Sequence, residues 1–182
     1  MIRALIRLGV LGALAVPAAF IADHLLARRR GGREPQPLRM MVVVDAPIEA
    51  AWAVVADIPL QPAWMHEMKQ VTMATPGPAK PGSRGEATVR IFGISVTDPV
   101  EVTEVEAPRR FAIRHEGLFT GGGVITLESG ADGTTTIVRW AETLVPPVLP
   151  ELAAVALAPV LRAIFQADLR RLARLVESGS TD

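Results

Sequence analysis

Three histidines, His24, His66 and His115, are the natural acid–base groups near neutral pH in this 182-residue chain. His66 stands in Trp64-Met65-His66-Glu67-Met68, where it could line a cavity mouth and act as a base, or simply be a solvated residue on a short helix. His115 follows Phe111 and Ile113 at a spacing of two, so in a strand the three share a face. On a concave face His115 would point at a ligand; at an edge it would be satisfied or solvated. Glu142 shares a face with Trp140 in the same way, which sets a carboxylate beside an indole unless that strand end is solvated. No pair of these groups has a spacing that reports a reaction, so no catalytic residue is assigned and catalysis is the less favoured reading.

Metal and cofactor chemistry find even less support. The chain has no cysteine, which excludes disulfides and thiolate metal sites, and its histidines lie too far apart in sequence to suggest a multi-histidine centre. Gly121-Gly122-Gly123 reads as a turn, because a strand follows it and neither a helix nor a lysine does, so it is no phosphate loop. No cofactor is expected. The 19 basic and 19 acidic residues cancel, which removes a general electrostatic case for nucleic-acid binding.

The elements that would position these groups follow from hydropathy and charge. Residues Leu8 to Ala22 carry no charge and lie between Arg3/Arg7 and the cluster Arg28, Arg29, Arg30 and Arg33. Extended to Ala27, the run is about 20 residues, long enough for a single membrane crossing. A cleaved signal peptide and an interfacial helix are the alternatives to a retained anchor. The arginines after the run place the globular part in the cytoplasm. Gly31, Gly32, Pro35 and Pro37 then form a linker, giving an anchor over 1–30, a linker over 31–37, a folded domain over 38–178 and a tail over 179–182.

Within the domain a strand is expected at Leu38–Val44, a helix at Ile48–Asp57 and a second short helix at Gln61–His66. Strands follow at about Lys69–Ala74, Arg84–Ile91, Ser95–Glu106, Phe111–Glu116, Gly123–Ser129 and Thr134–Thr143, separated by Gly/Pro turn signals. The chain closes on a long amphipathic helix with Leu161, Ile164, Phe165, Leu169 and Leu172 on one stripe; Pro159 either begins it or kinks it. Hydrophobic residues make up 49% of the chain, enough for one sizeable core.

This order resembles the START-like, or SRPBCC, superfamily, and in particular its polyketide cyclase/dehydrase and lipid-transport branch. The resemblance spans about Leu38 to Glu177 and rests on several segments. They are Val44-Asp45-Ala46-Pro47-Ile48 with Ala51-Trp52, Trp64 in the second helix, Val102 to Glu106 before Pro108-Arg109-Arg110-Phe111, and the final helix. It implies an α+β helix-grip fold, a seven-stranded curved antiparallel sheet wrapped around the long C-terminal helix, joined here to an N-terminal transmembrane helix. It also implies a cavity between sheet and helix that holds a lipid or another hydrophobic small molecule. The residues expected to line that cavity or its mouth are Trp52, Trp64, Met65, Met68, Phe92, Phe111, Ile113, His115, Phe119, Trp140, Leu161 and Phe165, each with ordinary core packing as its alternative. The nearly uncharged stretch from Leu144 to Phe165 is either a buried helix start or an apolar rim that meets the bilayer. Three functions are compatible with this reading. The first is a membrane-tethered carrier or sensor of apolar molecules, the second a cyclase- or dehydratase-like enzyme, the third an assembly or co-chaperone module.

Overall fold

The computed structural model describes residues 2–33, 35–91 and 93–179, with side chains from residue 15 onward. A helix, α1 (Ile2–Arg30), precedes the domain and ends at Gly31 and Gly32, both at positive φ. The domain itself runs β1 (Leu38–Val44), α2 (Ile48–Ala56), a 3-10 turn, α3 (Gln61–Trp64), β2 (Met68–Met73), β3 (Arg84–Ile91), β4 (Ile94–Glu106), β5 (Arg110–Glu116), β6 (Thr120–Ser129), β7 (Thr136–Val145) and α4 (Pro150–Gly179). The seven strands form one antiparallel sheet in the order β1-β7-β6-β5-β4-β3-β2.

Alternation decides which face of the sheet is dry. In β7, Val138, Trp140 and Glu142 are buried while Arg139 is exposed; in β4, Asp98, Val100 and Val102 are buried. The convex face carries ion pairs instead, such as Arg84 and Arg114 converging on Glu101 at 2.7 and 3.0 Å. Irregular register at Val102/Glu104 bends β4, which favours a sheet that curves around a helix.

The second half of α4 fills that curve. Phe165, Leu169, Leu172, Ala173 and Val176 recur at helical spacing and are buried against Met40, Val44, Val138 and the α2 stripe Ile48, Ala51 and Val55. Asp168 lies on the same buried side and ties the helix to the α3 end: it accepts the His66 amide at 3.0 Å and pairs with Arg171 at 2.6 Å. The second short helix stops at Trp64 rather than at His66, since this tie draws the His66 amide away from helical bonding and leaves its side chain exposed.

Pro159 sits inside α4, which starts at Pro150 and not at Pro159. Among the described residues α4 is also the helix long and apolar enough to cross a membrane. The sequence expectation put the spanning segment at the N-terminus; by this criterion it is the C-terminal helix that qualifies, because its first fifteen residues hold only Glu151 and Arg162 as charges. Its second half, however, is committed to the core.

Candidate functional site

β5 sets Phe111, Ile113 and His115 on the concave side, and β7 sets Trp140 and Glu142 there. The strand between them, β6, carries Gly121 opposite His115 and Gly123 opposite Glu142. With no side chain on β6 at those positions, the Glu142 carboxylate reaches across the strand to the imidazole. His115 Nε2 and Glu142 Oε1 are 2.8 Å apart, and Trp140 Nε1 donates to Glu142 Oε2 at 2.8 Å. A Cβ on Gly123 would stand 2.3 Å from Oε2 and 3.3 Å from the indole nitrogen, so the cluster requires glycine there. The glycine run expected to be a turn is therefore strand, and β6 begins at Thr120. The turn proper is residues 117–119, braced by the Asp98 carboxylate, which accepts the amides of Leu118 at 2.9 Å and Phe119 at 3.3 Å.

Glu142, whose alternative reading was a solvated strand end, is only 4% exposed, and His115 is 19% exposed. Burial is the largest single influence on His115 and opposes its charge. The Glu142 hydrogen bond, the Glu142 charge and the Asp98 charge together outweigh it, and the His115 pKa is raised above its ordinary 6.5. A charged imidazolium donates through Nε2 to Glu142 and keeps a second donor, Nδ1–H, which has no partner among the described residues. Chemically, the site can grip an acceptor oxygen or hand it a proton.

Behind this cluster lies an aromatic stack. Trp140 packs edge-on to Trp64, with centroids 6.0 Å apart, and tilted on Phe165 at 4.9 Å. Trp64 is fully buried, yet its Nε1 is a donor without a protein partner. These three residues were expected to line a cavity; together with Phe111 they occupy the centre of the space between sheet and α4 as core. Met65, Ile113 and Leu161 are half-buried and pack on that core, and Phe119 lies half-buried beside Asp98. Met68 is half-buried at the start of β2, near the far edge of the sheet, and Phe92 falls outside the described residues.

Trp52 belongs to a different place. It lines an open cleft of about 590 Å³ with Ile58, Met73, Ala79 and Val105, at the opposite end of the sheet from His115. A second depression, about 500 Å³, lies mainly on the convex side, where Arg110 and Arg139 are already paired with Glu104 and Glu128. The dyad is thus the feature that sequence spacing could name residue by residue but could not assemble. The overlooked signal was Gly123, two residues from Gly121 and on the same face.

No curated protein matches the sequence. Among solved structures, a protein of Thermus thermophilus matches with a TM-score of 0.64 at 18% identity, covering 79% of this chain and 99% of that one. A protein of Deinococcus radiodurans matches at 0.60 and 21%, covering 79% and 98%. The Zhui aromatase/cyclase of Streptomyces sp. R1128 matches at 0.62 and 17%, covering 78% and 93%. At these identities the likeness shows the fold alone, a helix grip. The family described as polyketide cyclase/dehydrase and lipid transport matches residues 37–177, nearly the whole domain, and the chain belongs to it.

Proposed function

We propose that this domain binds a largely apolar molecule, a lipid or a compound of polyketide size, and orients it by one acceptor oxygen against His115. The observation that carries this reading is a partly exposed imidazole held through Nε2 by buried Glu142 at one end of an apolar concave face, with no partner for its Nδ1 among the described residues. An imidazole held from one side by a buried carboxylate is suited to recognition, since a ligand oxygen can replace solvent at the ring nitrogen left open. The orphan Trp64 Nε1 supports the same reading from within the core. The family supports a hydrophobic ligand. The uncharged run in α1 supports attachment to a membrane, and the arginines that follow it support a cytoplasmic domain.

A second reading, a cyclase- or dehydratase-like enzyme, is favoured by the His115–Glu142 geometry, in which the imidazolium is placed to act as a general acid. The two separate by experiment. Residues 35–182 are purified, extracted with organic solvent and examined by native and denaturing mass spectrometry. A near-stoichiometric apolar molecule that is reduced in His115→Phe supports binding through the dyad. Conversion of that molecule by the parent protein but not by the variant selects the enzyme. A protein that carries nothing and binds no member of a panel of lipids and apolar dyes removes both readings.

A further inference from the structure

The N-terminal helix does not stand apart from the domain. Ala19, Ala22, Asp23, Leu26, Ala27 and Arg30 recur at helical spacing as the half-buried stripe of α1, and α1 packs against α4. The contact is polar at its centre. Asp23 Oδ1 accepts the backbone amides of Glu151 at 2.9 Å and Leu152 at 2.8 Å, so it caps the first turn of α4 from another helix. Arg30 pairs with Glu151 at 2.6 Å.

These contacts use up the acidic groups of two apolar segments. Asp23 is the only acidic residue before Glu34, and Glu151 the only one between Glu142 and Asp168. The outward side carries Phe20, Ile21 and Leu25 on α1, and Val148, Val155 and Val160 on and before α4, all exposed, interrupted by exposed His24 and Arg162. Large exposed apolar side chains on the described surface are concentrated here, whereas isolated ones would call for no explanation. An apolar medium penalises an uncapped helix N-terminus and an unpaired carboxylate, and both are already satisfied within the pair. Water imposes no such requirement.

We infer that α1 and the first half of α4 form one helical pair facing the lipid bilayer, clamped by Asp23, so that the domain is held against the membrane rather than swinging on its linker. The inference rests on the membrane attachment proposed above. The bilayer is favoured over a protein partner because the exposed apolar residues of α1 follow an uncharged stretch of sequence that begins at Leu8, and because exposed Arg28 and Arg29 come next, as cations suited to phosphate headgroups. The pair also lies at the functional end of the sheet. α4 departs just past β7, whose Glu142 pairs in register with Leu38, the first residue of β1. The His115–Glu142 end of the concave face therefore opens beside the lipid-facing helices.

The absence of cysteine allows a direct test in the full chain. Single variants Phe20→Cys, Val155→Cys and, on the far strand, Glu86→Cys are labelled with an environment-sensitive fluorophore and reconstituted into vesicles of phosphatidylcholine and phosphatidylglycerol. The inference expects blue-shifted emission, quenched by brominated lipid, at Phe20 and Val155 and neither effect at Glu86. Adding Asp23→Ala should abolish the Val155 quenching while Phe20 keeps it, and Asp23→Asn, which retains a capping oxygen, should restore it. Quenching at Phe20 with a water-exposed Val155 in the parent background overturns the clamp but leaves the anchor standing. Loss at both positions overturns membrane attachment itself. A Val155 label that is shielded yet unquenched by brominated lipid, with Val155→Cys chains crosslinking to each other, would assign the face to a second copy and also overturn the inference.

Discussion

Gly123→Ala tests whether the dyad depends on an empty position in the neighbouring strand. The new methyl would stand 2.3 Å from Glu142 Oε2, so the carboxylate must swing away and lose at least one of its two partners, His115 or Trp140. A hydrogen bond to a charged group contributes about 1.5–3 kcal/mol. Replacing glycine in an extended strand returns about 0.5–1 kcal/mol through the unfolded chain. The net expectation is a loss of about 0.5–2.5 kcal/mol, read from urea midpoints. The more specific readout is the imidazole titration followed by NMR, which is tractable with only three histidines. Without Glu142 as acceptor, burial dominates and the His115 pKa must fall. As a control, Gly133→Ala sits in an open turn at φ +74; it strains the backbone but should leave that titration unmoved. An unaltered His115 pKa in Gly123→Ala, with stability within about 0.5 kcal/mol of the parent, would refute the account.

Because the folded His115 pKa is raised, the dyad's contribution to stability is fully present below pH 6.5 and is lost as pH rises through the folded value. Urea midpoints measured across that interval should decline in the parent protein and flatten in Glu142→Gln. Trp64→Ala should cost about 3–5 kcal/mol as a large cavity in the core, whereas Trp64→Phe, which removes the orphan N–H and keeps a ring, should cost clearly less by thermal denaturation. Asp168→Ala strips the His66 amide of its acceptor and should lower stability by about 1–3 kcal/mol, with faster hydrogen exchange at that amide.

Much of the scaffold could be read directly from the chain. Gly and Pro signals separated the strands, and the shared face of Val138, Trp140 and Glu142 followed from spacing, whereas the burial of Glu142 did not. The missing parts depended on contacts between distant segments. The end of α3 moved because Asp168, about a hundred residues away, takes the His66 amide. Gly121–Gly123 looked like a turn because glycine at a strand position and glycine in a loop are identical in sequence; only the neighbouring Glu142 reveals why Gly123 must be bare. His115 and Glu142 were recognised singly, but their meeting depends on β6 lying between β5 and β7. The packing of Trp64, Trp140 and Phe165 on one another was hidden as well, since they converge from three separate elements.

The borrowed cap on α4 carries an evolutionary implication. Leu149, immediately before the helix, is held at φ +50, a conformation that a leucine rarely adopts, and its apolar side chain cannot bond the free amides that follow. The domain has in effect given up its own helix-starting residue and depends on Asp23 in the N-terminal helix. Homologues that lack this helix should carry Ser, Thr, Asp or Asn near position 149, or begin the final helix closer to Pro159. Those that keep the helix should covary at positions 23 and 149–152, a signature visible in an alignment without any knowledge of the ligand.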